Sequence, residues 1–229
     1  MNWQGVFPAI TTNLKADLSI DHDALAAHCR WLVEHGCAGI VCCGSLGEAA
    51  TLAFEEKVAI VRTCVAAVGA RVPVVLGVAA LSTAEAVRLA RAGAEAGARG
   101  LMVLPPYVYA TDWREMKAHV AAVLAATPLP AMLYNNPPAY KTDFLPAQIA
   151  ELAAEFPNLA AVKESSGDTK RVTAIRAACG RRLEILVGMD DAIVEGIYAG
   201  ATGWVAGLVN AVPAESVALF DYASRGDKA

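Results

Sequence analysis

Eight short apolar runs, each followed by a longer polar-and-apolar segment, restrict this chain more than any other feature of its sequence. The runs are Gly5–Thr11, Gly39–Cys43, Val72–Ala79, Gly100–Leu104, Pro130–Tyr134, Leu159–Lys163, Glu184–Gly188 and Gly203–Ala206. They lack polar alternation, so each reads as a strand buried on both faces, which is the habit of parallel sheets. The intervening segments, such as Asp21–His35, Phe54–Val68, Thr83–Ala96 and Asp112–Ala126, carry apolar residues at helical spacing. Ser82 before Glu85 and Asp112 before Glu115 suit helix starts, and Gly36, Gly69, Gly97, Gly180 and Gly200 suit helix ends. Alternating β and α units define an α/β protein. An open doubly wound sheet would have about five or six strands and a Gly-rich turn after the first. Here Thr11-Thr12 follows the first run, with no G-x-G-x-x-G. Eight units in 229 residues fit a closed (β/α)₈ barrel, and no linker or charge block divides residues 1–229, so a single domain is expected.

Composition removes several functional classes. The chain is 56% hydrophobic, but no apolar run approaches the roughly 18 residues needed to span a bilayer. Its start, Met1-Asn2-Trp3-Gln4-Gly5, lacks the features of a secretory signal. The net charge of −4 and the absence of a basic patch give nucleic acid no footing. The six cysteines form no C-x-x-C pair and read as reduced core thiols, which implies a cytoplasmic protein. The four histidines fall in predicted helices without H-x-x-x-H or H-E-x-x-H spacing, so no metal is expected.

In a barrel of this kind, chemistry gathers where strands end and βα loops begin. Lys163 closes the sixth run after Leu-Ala-Ala-Val. It is either an ammonium paired with a neighbour such as Glu164, or an amine that attacks a carbonyl once desolvation frees it. Tyr134 ends the adjacent fifth run. It either caps the core or relays protons beside the amine. Gly44-Ser45-Leu46-Gly47 is either an ordinary βα turn or a nest whose N–H groups hold a carboxylate. Gly200-Ala201-Thr202-Gly203 offers a competing phosphate loop beside the eighth strand.

Taken together, Gly-Ser-x-Gly-Glu at 44–48, Tyr134-Asn135-x-Pro137 and Val162-Lys163-Glu164-Ser165-Ser166-Gly167-Asp168 resemble the dihydrodipicolinate synthase/N-acetylneuraminate lyase family. The likeness runs from Gly5 to Gly207. It implies a Schiff-base enzyme without a cofactor. Lys163 would be the covalent lysine, Tyr134 the proton relay, and Ser45 with the N–H groups of Ser45 and Leu46 the carboxylate holder. Tyr107 would reach a neighbouring subunit's site, so a homo-oligomer is implied. Gly188, Asp190, Val205 and Gly207 would contact the distal part of a small 2-oxo-acid or cyclic-imine substrate.

The sequence also departs from the family. Leu46 stands where the synthases carry a second hydroxyl, and Ala139 stands near their arginine for a second carboxylate. Members continue with further helices, whereas this sequence stops just after a helix expected at Ala214–Ser224. The combination is most similar to members that deaminate 1-pyrroline-4-hydroxy-2-carboxylate. A sugar-acid dehydratase or aldolase, the synthase itself and a non-catalytic binding barrel are the other readings.

Overall fold

A computed structural model describes residues 1–105 and 112–226. Its strands are β1 (Gly5–Pro8), β2 (Ile40–Cys42), β3 (Val74–Val78), β4 (Gly100–Val103), β5 (Ala131–Asn135), β6 (Leu159–Glu164), β7 (Glu184–Val187) and β8 (Gly203–Ala206). All pair in parallel, in the order β1-β8-β7-β6-β5-β4-β3-β2. A parallel bridge from Ala9 to Val41 and the 3.0 Å bond from Ile10 N–H to the Val41 carbonyl join the two ends of that order. The sheet therefore closes as a (β/α)₈ barrel.

Helices wrap it: α1 (His22–Glu34), α2 (Phe54–Val68), α3 (Thr83–Glu95), α4 (Trp113–Ala126), α5 (Pro137–Tyr140), α6 (Pro146–Glu155), α7 (Lys170–Cys179), α8 (Ile193–Tyr198) and α9 (Pro213–Arg225). The expected caps at Ser82 and Asp112 form, their side chains accepting from the N–H groups of Glu85 and Glu115, and Asp21 caps α1 in the same way through Ala24 N–H. Gly36 and Gly97 take φ values of 93° and 98°, which end α1 and α3 as glycine permits. Gly69 differs, because α2 ends there in right-handed geometry at φ −61°.

Prolines trim two of the strands relative to their apolar runs. Pro8 ends β1, and Pro73 lies before β3 while its carbonyl still accepts from Ile40 N–H at 3.0 Å. One continuous core fills the barrel and the helix–sheet layer, with Phe7, Trp204, Phe144 and Leu76 fully buried in it. Cys29, Cys37, Cys42, Cys43 and Cys64 lie in that core as free thiols, as expected. Burial pushes the Cys37 thiol up to about 12. Among the described residues no helix is long and apolar enough to cross a membrane. No cluster of three potential metal ligands occurs among them.

The phosphate-loop reading of Gly200–Gly203 fails on position. Thr202 and Gly203 lead into β8, and Thr202 N–H bonds the Ile185 carbonyl at 2.8 Å. The segment therefore sits at the N-terminal end of the strands. Its Gly200 carbonyl is taken by Arg176 at 2.9 Å.

Candidate active site

At the C-terminal ends of the strands a cavity of about 490 Å³ is lined by Ala9, Gly44, Ser45, Leu46, Met102, Tyr134, Lys163, Gly188, Met189, Asp190 and Gly207. A second cavity, of about 420 Å³, lies at the opposite end around Met1, Pro73 and Arg99. That end of a barrel carries stability rather than chemistry.

Strand register brings the central pair together. Tyr134 on β5 pairs with Lys163 on β6, and the next residues, Asn135 and Glu164, pair in turn. Successive residues of a strand face opposite sides, so Lys163 and Tyr134 share the cavity face while Asn135 and Glu164 share the helix face. This separates the two roles open to Lys163. Glu164 is not its partner: its carboxylate accepts from Asn135 Nδ2 at 3.0 Å and from Ser166 N–H at 2.7 Å. Asn135 also donates to Asp143 at 3.2 Å, and Arg171 grips Asp143 with bonds of 3.0 and 2.6 Å. Lys163 is 5% exposed, and among the described residues no carboxylate lies within ion-pair distance of it. Its ammonium rests 4.0 Å from the centre of the Tyr134 ring.

The Tyr134 hydroxyl accepts from Asn136 Nδ2 at 2.9 Å. Burial alone would push this phenol up. The charge of Lys163 and the hydrogen-bonding groups of Asn136, Lys163 and Ser165 outweigh burial and hold it below the ordinary tyrosine value. The Ser165 hydroxyl is buried without a partner of full hydrogen-bond geometry, although it lies close enough to act on the phenol.

The 44–48 turn is shaped by left-handed residues at both ends, Cys43 at φ 54° and Glu48 at φ 58°. Glu48 and Ala49 bond back to the carbonyls of Ser45 and Gly44 at 3.1 and 3.2 Å. Thr12 anchors the turn through the Gly47 carbonyl at 2.7 Å. The N–H groups of Ser45 and Leu46 have no protein partner among the described residues, which leaves a nest suited to a carboxylate.

The other expected residues divide. Gly188 and Gly207 line the cavity. Asp190 also lines it, but its carboxylate is engaged by Trp204 Nε1 at 3.1 Å and by the N–H groups of Gly207 and Leu208 at 3.0 and 2.7 Å. It holds the loop after β8. Val205 is 1% exposed inside β8 and is not in the lining. Tyr107 lies outside the described residues. Ala139 is exposed on α5, and Lys141 turns its amine to the Pro138 carbonyl at 3.2 Å.

Sequence reasoning overlooked Tyr140, whose hydroxyl is hydrogen-bonded to that of Ser45 and whose ring stands edge-on to Tyr134 at 5.7 Å and 86°. The local signal was Asn136-Pro137-Pro138, a helix start that places the following tyrosine.

Gly188 is where space is tightest. A Cβ there would sit 1.8 Å from Ser165 Oγ and 2.7 Å from Lys163 Cε. Gly188→Ala should therefore displace the lysine stem, lower the melting temperature by an amount equivalent to about 1–3 kcal/mol, and depress turnover. A thermal melt and a rate measurement check both, and unchanged values would mean that the lysine stem is not confined by the backbone that follows β7.

The fold places this cavity at the end of the barrel where enzymes of this architecture carry their chemistry. The chain belongs to the dihydrodipicolinate synthetase family, whose model matches residues 2–229, and is a Schiff-base lyase of that family. It is 37% identical to a 4-hydroxy-tetrahydrodipicolinate synthase of Chelativorans sp. (strain BNC1), over 99% of this chain and 78% of that one. The structure of dihydrodipicolinate synthase from Aquifex aeolicus superposes with a TM-score of 0.95 at 30% identity, covering 98% of this chain and 76% of that one. YagE, a prophage protein of the family from E. coli K12 in complex with pyruvate, gives 0.94 at 28% identity, with 98% and 76% covered.

Proposed function

We propose that the chain deaminates 1-pyrroline-4-hydroxy-2-carboxylate through an imine on Lys163. One observation carries this reading: among the described residues the cavity lining contains a single cation, Lys163, beside a nest for one carboxylate. The substrate is itself a cyclic imine next to a carboxylate. The carboxylate binds the N–H groups of Ser45 and Leu46. The Lys163 amine adds to C2, the ring C2–N bond breaks, and the ring nitrogen leaves as a primary amine on C5. The resulting lysine iminium acidifies C3–H. Loss of that proton and departure of the C4 hydroxyl as water give an unsaturated iminium. Proton transfers from C5 convert the terminal amine into an imine. Two waters then hydrolyse the terminal and lysine imines, releasing ammonia and 2-oxoglutarate semialdehyde with one water consumed overall. Tyr134, next to the amine, moves the protons.

The second reading is 4-hydroxy-tetrahydrodipicolinate synthesis, favoured by the activity of the named relatives. Its aldehyde substrate brings another carboxylate. Ala139 offers that group no guanidinium, Lys141 is turned into its own turn, and Leu46 adds an apolar side chain. A sugar-acid dehydratase would share the elimination but needs polar contacts for extra hydroxyls. A non-catalytic binding barrel would have no use for a buried amine that has no carboxylate partner among the described residues. The test is ammonia release from the hydroxypyrroline carboxylate in a coupled assay. Release at enzymatic rates supports the deaminase, whereas no release alongside rapid condensation of pyruvate with the aldehyde would select the synthase.

The family likeness at Tyr107 also supports self-association, at least to a dimer. Light scattering at tens of micromolar should give more than one chain per particle, and a fully active monomer would contradict it.

A further inference from the structure

Tyr140 connects two walls of the cavity that the sheet keeps apart. In the barrel order β2 and β5 are separated by β3 and β4. From the turn after β5, Tyr140 bonds its hydroxyl to Ser45 in the loop after β2, while its ring stands against Tyr134 on β5. Its placement is fixed locally. Asn136 accepts from Ala139 N–H at 3.1 Å, Pro137 opens the helical turn, and Lys141 closes it at φ 57°. Asn136 also donates to the Tyr134 hydroxyl, so one side chain sets both tyrosines.

We propose that Tyr140 is a specificity-determining residue, a bar across the β3–β4 side of the cavity mouth that directs the substrate's tail towards Gly188, Asp190 and Gly207. This rests on the reading that a 2-oxo acid or cyclic imine is held on Lys163. With the carboxylate at Ser45 and C2 at Lys163, a tail on the β3–β4 side would collide with the Tyr140 ring. The cavity thus selects short or ring-closed acids over acids carrying a bulky flat substituent at C3.

Borohydride capture on the purified chain, read by intact mass, tests this with pyruvate and phenylpyruvate as probes. The wild type should capture pyruvate at least about tenfold more readily than phenylpyruvate, within the range that shape alone provides. Tyr140→Ala should raise the phenylpyruvate-to-pyruvate ratio by about tenfold. Tyr140→Phe keeps the ring and should hold the wild-type ratio, while loss of the bond to Ser45 weakens pyruvate capture by roughly threefold to tenfold. Tyr140→Leu carries the same expectation as the alanine variant if that one does not fold. An unchanged ratio in the alanine or leucine variant, or an equal shift in the phenylalanine variant, overturns the bar while leaving Lys163 in place. Absence of any adduct in the wild type overturns both.

Discussion

Tyr134→Phe is expected to leave the fold intact and slow turnover by roughly 10²–10⁴, the range of a general acid–base group. The ring contributes its packing through contacts with Lys163 and Tyr140, and phenylalanine preserves those contacts. Only the hydroxyl, with its bond from Asn136, is removed. Little stability should be lost, because the Asn136 amide is only partly buried and its oxygen still caps α5. The same variant should erase a spectroscopic signature. Since the Tyr134 phenol is held below its ordinary value, difference absorbance near 295 nm should show a tyrosine that ionises below the ordinary value of about 10. That early step should vanish in Tyr134→Phe. A near-normal rate with the step intact would place the proton relay elsewhere.

Lys163→Ala should have the largest effect of any single substitution, a loss of about 10⁴–10⁶ in turnover, as expected when a covalent residue is removed. Lys163→Arg should be equally inactive, because a guanidinium retains the charge but forms no imine at neutral pH. Stability should move the other way. The Lys163 Nζ is buried without a carboxylate partner among the described residues, so folding gains no ion pair from placing it there. Lys163→Ala should melt at or above the wild-type temperature. The alanine variant should also shift Tyr134. Burial acts to raise this phenol and the charge of Lys163 to lower it, so its titration should move up once the charge is gone. A destabilised Lys163→Ala with unaltered tyrosine titration would mark the lysine as structural.

Much of this site was legible in the chain because barrel chemistry depends on strand ends, and strand ends follow apolar runs. Lys163 and Tyr134 close adjacent runs, and the register that pairs them follows from the parallel order of consecutive units. The Ser45–Leu46 nest was readable for the same reason, as a glycine-flanked turn with spare N–H groups. Asp190 illustrates what was not. The family likeness implied a substrate contact there, and Asp190 does line the cavity, but its hydrogen bonds from Trp204, Gly207 and Leu208 are set by how two βα loops meet in space. Val205 was named on the family likeness, yet its 1% exposure leaves it in the core and outside the cavity lining. Tyr140 had only the local cue of the Asn136-Pro137-Pro138 helix start, and its role was hidden for a related reason. Its partner Ser45 lies 95 residues away, and only closure of the barrel brings the two loops together.

Lys163 is proposed to carry the substrate. Borohydride reduction in the presence of pyruvate, followed by intact mass and peptide mapping, measures it directly. A single lactyl-type addition on the peptide containing Lys163, absent from Lys163→Ala, is the predicted result. No addition to the wild type, or an addition that persists in Lys163→Ala, would contradict it.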